Sequence, residues 1–188
     1  MRLLSTILCW SAMLASPYLL FAQGKINSQE VESARGFVGE FYQWYVPKTL
    51  KPHSGPAWNL VLKYRSTALS PELLRALRED SDAQAKVSGE IVGLDFDPFL
   101  DTQDPCERYE VGEIVQKEQI YHVQVFGVCS SKKNEKPDVI AQVEKQNGHW
   151  IFVNFAYPNL EKEYPDSANL LATLKALREE RKGSKPKS

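Results

Sequence analysis

A chain of 188 residues with a formal net charge of −1 is long enough to bury a proper core without metal or many crosslinks. It is too evenly charged to draw nucleic acid through a global field. Residues 1–22 read as a secretory signal: Arg2 gives the positive start, 3–14 the apolar run, Ser16-Pro17 the break, and Ala22 the small residue before cleavage. An uncleaved membrane anchor fits less well, because Ser5, Thr6, Ser11 and Pro17 interrupt the roughly twenty apolar residues that a span requires. Cys9 lies inside the apolar run and not at a lipoprotein-type cleavage site. The expected product is exported, periplasmic or extracellular, does not span the membrane, begins at Gln23, and has no nucleic-acid partner.

After the signal, residues 23–183 read as a single α+β domain and 184–188 as a basic disordered tail. Val31, Ala34, Val38, Phe41 and Tyr45 recur at helical spacing over 27–46, with Phe37 and Trp44 widening the stripe. Asn27 and Glu30 have the spacing of a capping pair, and Pro47 is expected to end the helix. A loop at 51–56 precedes a short helical stretch near Ala57, Leu60, Val61 and Tyr64. Ser70 then caps a clearer helix with Pro71 at its first position and Leu73, Leu74 and Leu77 inward, fading into the polar stretch 79–86.

Beyond Asp104 the period changes to that of an antiparallel meander, with four strands expected at about 108–116, 119–128, 138–145 and 149–156. The second shows the clearest alternation, Tyr121, Val123 and Val125 against Ile120, His122, Gln124 and Phe126. Asn147-Gly148 is a hairpin signal. Asp166 or Ser167 is expected to cap a last helix carrying Leu170, Leu171, Leu174 and Leu177. From Arg178 the chain turns basic and is expected to fray.

Cys106 and Cys129 are the two cysteines that survive cleavage, and an even pair in an exported protein predicts a structural disulfide. A redox or metal pair is disfavoured by the absence of C-x-x-C spacing.

Residues 95–105 carry Asp95, Asp97, Asp101 and Asp104 with Pro98 and Pro105 around Phe96, Phe99 and Leu100. The prolines exclude ordinary helix or central strand, while the apolar side chains need burial. An ordered loop plugged into the core, with acids at its rim, is expected. The segment Asp97-Pro98-Phe99-Leu100, the following Gln103-Asp104 and the helix-then-meander order resemble the bacterial family known as domain of unknown function 3828, over about Val31 to Pro158. The resemblance implies a cystatin-like, nuclear-transport-factor-like cone: N-terminal helices on a curved four-stranded antiparallel sheet, plus a C-terminal helix. It supplies no catalytic residue, and this chain lacks the cleavage-site cysteine of the family's lipid-anchored members.

The acidic loop lacks the alternate acids, the glycine and the distal glutamate of an EF-hand, so no metal or cofactor is expected. No nucleophile elbow, zinc-protease motif or phosphate-cradling loop is present. The leading expectation is a non-enzymatic envelope module that binds another protein or a surface component. Asp95, Asp97, Asp101, Gln103, Asp104, Tyr121 and His122 are its candidate binding residues, and Tyr42 and Trp58 its exposed aromatic anchors. Alternatives are a small-molecule or proton-transfer domain whose pocket holds Asp97, Tyr121 and His122, and an inhibitor or immunity protein.

Overall fold

The structure, a computed structural model, describes residues 28–52, 54–160 and 168–183. The signal, the caps expected at Asn27 and at Asp166 or Ser167, His53, and the tail 184–188 lie outside them. The long first helix, α1 (Ser28–Thr49), buries Ala34, Val38, Phe41, Tyr42, Tyr45 and Val46 along one stripe. It runs past Val46, where the sequence suggests a stop, and takes Pro47 into its last turn. The amide that Pro47 lacks would have met the carbonyl of Gln43, and both residues lie on the solvent-exposed side of the helix. Thr49 Oγ1 also donates to the Val46 carbonyl at 2.9 Å, tightening the end.

Helix α2 (Asn59–Tyr64) and a 3₁₀ turn (Ser66–Ala68) lead to α3 (Pro71–Gln84). Ser70 caps α3 by accepting from the Leu73 amide at 3.2 Å, with Leu73 and Leu77 buried. Helix α3 does not fade at Glu79, because Asp80 on its buried side is fully enclosed and has a partner. That partner is Arg181 of the last helix, α4 (Leu170–Gly183), whose Nη1 donates to Asp80 Oδ1 at 2.6 Å. Arg178 pairs with Glu79 and Lys182 with Glu179, so the basic run up to Lys182 is helical and engaged, not frayed. Asn169 caps α4, its Oδ1 accepting from the Ala172 amide at 3.0 Å.

The sheet is antiparallel: β1 (Arg108–Lys117), β2 (Ile120–Cys129), β4 (Val139–Gln146) and β5 (His149–Ala156) lie side by side in that order. It has five strands, not the expected four, because the charged loop after β2 folds back as a two-residue β3 (Lys132–Lys133) pairing with Val128 and Cys129. The chain is thus α+β, with an open antiparallel sheet, preceding helices and a C-terminal helix. Asn147 and Gly148 both take positive φ, 50° and 83°, as a tight hairpin turn between β4 and β5 requires.

Two bulges place the aromatic core. In β5, Gln142 pairs with Asn154 but Val143 with Phe152, so Val153 is an extra residue, and Phe152 and Phe155 both face inward. In β1 the register slips between Val111 and Ile114, where a methyl on Gly112 would sit 2.4 Å from the Phe126 ring. Phe41 meets Phe152 at 4.7 Å between ring centroids, and Phe99 meets Phe155 at 5.0 Å. The sheet's alternation, the helix stripe and one loop phenylalanine thus close a single core.

Candidate functional site

The loop 95–105 is anchored by its backbone before its side chains contribute. The Asp97 amide donates to the Thr102 carbonyl at 2.9 Å, and the Asp101 amide returns to the Asp97 carbonyl at 2.8 Å. Asp97 Oδ1 accepts from the Phe99 amide at 3.0 Å, a side-chain turn that Asp and Asn make better than Ser or Thr. Asp101 adopts φ 53°, which Asp tolerates better than most residues. Phe99 and Leu100 are thereby driven into the core, as their need for burial demands.

Three tyrosine hydroxyls grip this turn. Tyr42 donates to the Phe99 carbonyl at 2.8 Å, Tyr157 to the Pro98 carbonyl at 3.0 Å, and Tyr45 to Asp97 Oδ2. Burial, and then nearby Asp97, holds the Tyr45 hydroxyl well above the usual phenol range. Tyr42 and Tyr157 are raised chiefly by burial as well, so all three remain neutral donors. Tyr42 is therefore not an exposed anchor: it is 2 % exposed, stacked on Tyr109, and holds the loop from beneath.

Beside the loop lies an open cleft of about 480 Å³. One wall is the chain after α1, including Pro56 and Trp58; the other is the segment 91–97 with Thr102, Gln103 and Pro105. Ile91, 71 % exposed, lines it together with Leu94 and Phe96. Trp58 is 2 % exposed, so it is a wall and not the exposed anchor the sequence suggests. Its indole Nε1 is buried without a hydrogen-bond partner among the described residues, a vacancy that ordinarily costs about 1–3 kcal/mol.

The 90–94 side of the cleft is fastened from behind. Gln84 donates to the Glu90 carbonyl and accepts from the Val92 amide, each at 2.9 Å. Asp80 Oδ2 accepts from the Leu94 amide at 2.9 Å, and Arg181 donates to the Val92 carbonyl at 2.9 Å. A methyl on Gly93 would fall 2.5 Å from Asp80 Oδ2, so the strap lies tight against that carboxylate.

Of the candidate residues, Asp95, Asp97 and Gln103 line this cleft, with Gln103 Nε2 donating to the Asp95 carbonyl at 2.9 Å. Asp101 and Asp104 belong to the same loop but not to the lining. Burial, and then Asp138, raises the Asp101 carboxyl to about 6. Asp104 is exposed and held through its amide, which donates to Thr102 Oγ1 at 3.0 Å.

Tyr121 and His122 are elsewhere. Tyr121 packs edge-on against Trp150 at 5.0 Å, whose indole donates to Ser33 near the start of α1, where Lys145 also pairs with Glu30. From Glu30 to Tyr45, the tyrosine that holds Asp97, is about 22 Å of helix at 1.5 Å per residue. His122 lies on the other face of β2 from Tyr121, Val123 and Val125, its imidazole pKa lowered by partial burial and by Lys117. The proton-transfer constellation of Asp97, Tyr121 and His122 is therefore not assembled.

Cys106, buried just before β1, and Cys129, at the end of β2, are joined as a disulfide with Cα atoms 4.7 Å apart. Among the described residues no three His, Cys, Asp or Glu side chains gather to hold a metal ion, and no helix is long and apolar enough to cross a membrane. What the cleft offers is recognition chemistry: carboxylates and a carboxamide at the rim, with apolar surface between.

Ile91, Pro56 and the walling role of Trp58 are the site features that sequence reasoning misses. Ile91 leaves one signal, the apolar pair Ile91-Val92 set between the polar run 88–90 and Gly93.

No protein family and no curated protein matches the chain. Among solved structures, the chain is similar to a crystal structure of a protein of unknown function from Bacteroides thetaiotaomicron VPI-5482. The two share 18 % identity over 69 % of this chain and 92 % of that one, with a TM-score of 0.49.

Proposed function

We propose that this chain is an exported, non-enzymatic binding module of the cell envelope that recognises a partner protein or surface component through the cleft beside the acidic loop. The leader-like pattern of residues 1–22 and the bonded pair Cys106–Cys129 support export, since such bonds persist in oxidising compartments. The helix-then-meander order and the Asp97-Pro98-Phe99-Leu100 loop support a cystatin-like cone of the family named above.

One observation carries the binding reading: the cleft sets exposed apolar surface at Ile91 beside an acidic rim at Asp95. A ligand that covers Ile91 would offset the cost of leaving that side chain in water. Asp95 at the rim adds preference for a basic group, so an extended peptide with a Lys or Arg side chain fits best.

The test is affinity capture from the native envelope fraction after mild crosslinking, using wild type and an Ile91→Ser, Asp95→Asn variant. Asp97 is left intact because it builds the loop. Circular dichroism confirms that the variant folds. Recovery of one envelope component by wild type and its loss with the folded variant is the expected result. Equal recovery by both would remove the cleft as the contact.

A further inference from the structure

Between Glu40 and Glu72 the chain contains no Asp or Glu, yet it contains Lys48, Lys51, Lys63 and Arg65. In a chain of net charge −1 this is a local excess of four positive charges, and the fold gathers it. Lys48, from the last turn of α1, holds its Nζ 5.1 Å from the centroid of the Trp44 ring. Arg65, just after α2, brings its Cζ to 5.0 Å from the same ring. Lys63 lies 5.0 Å over the Tyr64 ring. None of the four pairs with a carboxylate among the described residues.

Two cations on one indole repel each other, and the ring quadrupole offsets that only in part. The usual remedy, a carboxylate between them, is missing from the whole segment. Around this charge stand two of the most exposed large apolar side chains of the described residues, Tyr64 at 58 % and Leu50 at 49 %. None of these residues lines the cleft, although Thr49 between Lys48 and Leu50 does.

We propose that the tip formed by the end of α1 and the end of α2 docks on an anionic bilayer surface. Lys48, Lys51, Lys63 and Arg65 lie against the headgroups, and Leu50 and Tyr64 enter the interfacial layer. Basic side chains interleaved with Trp, Tyr and Leu are the composition of an interfacial anchor, in which charge attracts and the amphipathic rings sit at headgroup depth. Lys48 and Arg65 meet at the Trp44 ring while Lys63 lies over Tyr64, so the cations are spread over two aromatic side chains, which suits a charged plane better than a single bound anion.

Co-sedimentation with vesicles tests this, using protein recovered from its producing cells, on bilayers of about 30 % phosphatidylglycerol in phosphatidylcholine and on pure phosphatidylcholine. Each basic residue near such a surface is worth about fivefold in partitioning. The Lys51→Glu, Lys63→Glu variant, both sites exposed and without a carboxylate partner among the described residues, should lose about 25-fold or more on the anionic vesicles and be unchanged on the neutral ones. Wild-type binding should also collapse at about 0.5 M salt. A second variant, Leu50→Ser with Tyr64→Ser, should weaken binding with every charge in place. Equal partitioning of wild type and the charge-reversed variant overturns the proposal. Displacement by inorganic phosphate at matched ionic strength overturns it too, because the patch would then be a discrete anion site.

Discussion

The hydroxyl of Tyr45, deep on the buried stripe of α1, donates to Oδ2 of Asp97, a residue 52 positions further along the chain. Asp97 Oδ1 is meanwhile occupied by its own loop, so one carboxylate both folds the turn and ties it to the helix. Tyr45→Phe keeps the packing and removes the tie, leaving a half-buried charged oxygen short of a donor. The expected loss is about 2 kcal/mol by urea denaturation. Tyr42→Phe, which takes a donor from a neutral carbonyl, should cost about 1 kcal/mol. If Tyr45→Phe unfolds at the wild-type urea concentration, the tie contributes nothing.

Asp101 makes stability fall as pH rises. Its folded-state pKa of about 6 lies above the unfolded value of 3.8, so the folded state binds the proton more tightly. The contribution is present below about pH 4, is lost between about pH 4 and 6, and is constant above. Asp101→Asn, which keeps the shape and tolerates the positive φ, should stabilise the domain at pH 7.5. After allowance for solvent around a half-buried group, about 1 kcal/mol is expected. Thermal melts of both proteins at pH 3.5 and pH 7.5 measure it, and a gap that fails to widen with pH would contradict the assignment.

Arg181 is the clasp of the α3, α4 and strap junction. Arg181→Ala leaves the fully buried Asp80 carboxylate without its cation and the Val92 carbonyl without its donor, at a cost of about 3 kcal/mol or more. Gly93→Ala should act at the same place by pressing a methyl against Asp80. Amide exchange across 90–94 is the direct readout, with faster exchange expected in both variants before global unfolding.

Reducing the disulfide, or replacing both cysteines by serine, frees a loop whose ends are 23 positions apart. About 3 kcal/mol of stability should go with it. Comparison of melting temperatures with and without reductant checks the figure.

Local signals made much of the fold readable. The stripe of α1, the Ser70-Pro71 start of α3, the alternation of β2 and the Asn147-Gly148 turn are each decided by residues a few positions apart. Most of the failures depend on what each element meets in the folded chain. Helix α1 passes through Pro47 because only a solvent-side carbonyl is left over, and α3 passes Glu79 because its acid meets an arginine 101 positions later. Tyr42 and Trp58 look like surface aromatics until the loop and the strap are laid over them. At the site, the side chains that the loop presents were readable, since prolines and acids around Phe96 and Phe99 admit few arrangements. Their separation from Tyr121 and His122 was not, because it depends on which ends of α1 and the sheet coincide.

The grip of Tyr42, Tyr45 and Tyr157 on residues 97–99 draws on both ends of the domain, the first helix and the residue after the last strand. One rim of the cleft therefore takes shape only when the polypeptide is complete through β5, and a truncated or misassembled copy presents no such surface. Whatever occupies the cleft would discriminate finished molecules from defective ones, and its binding energy would add to the stability of the finished ones alone.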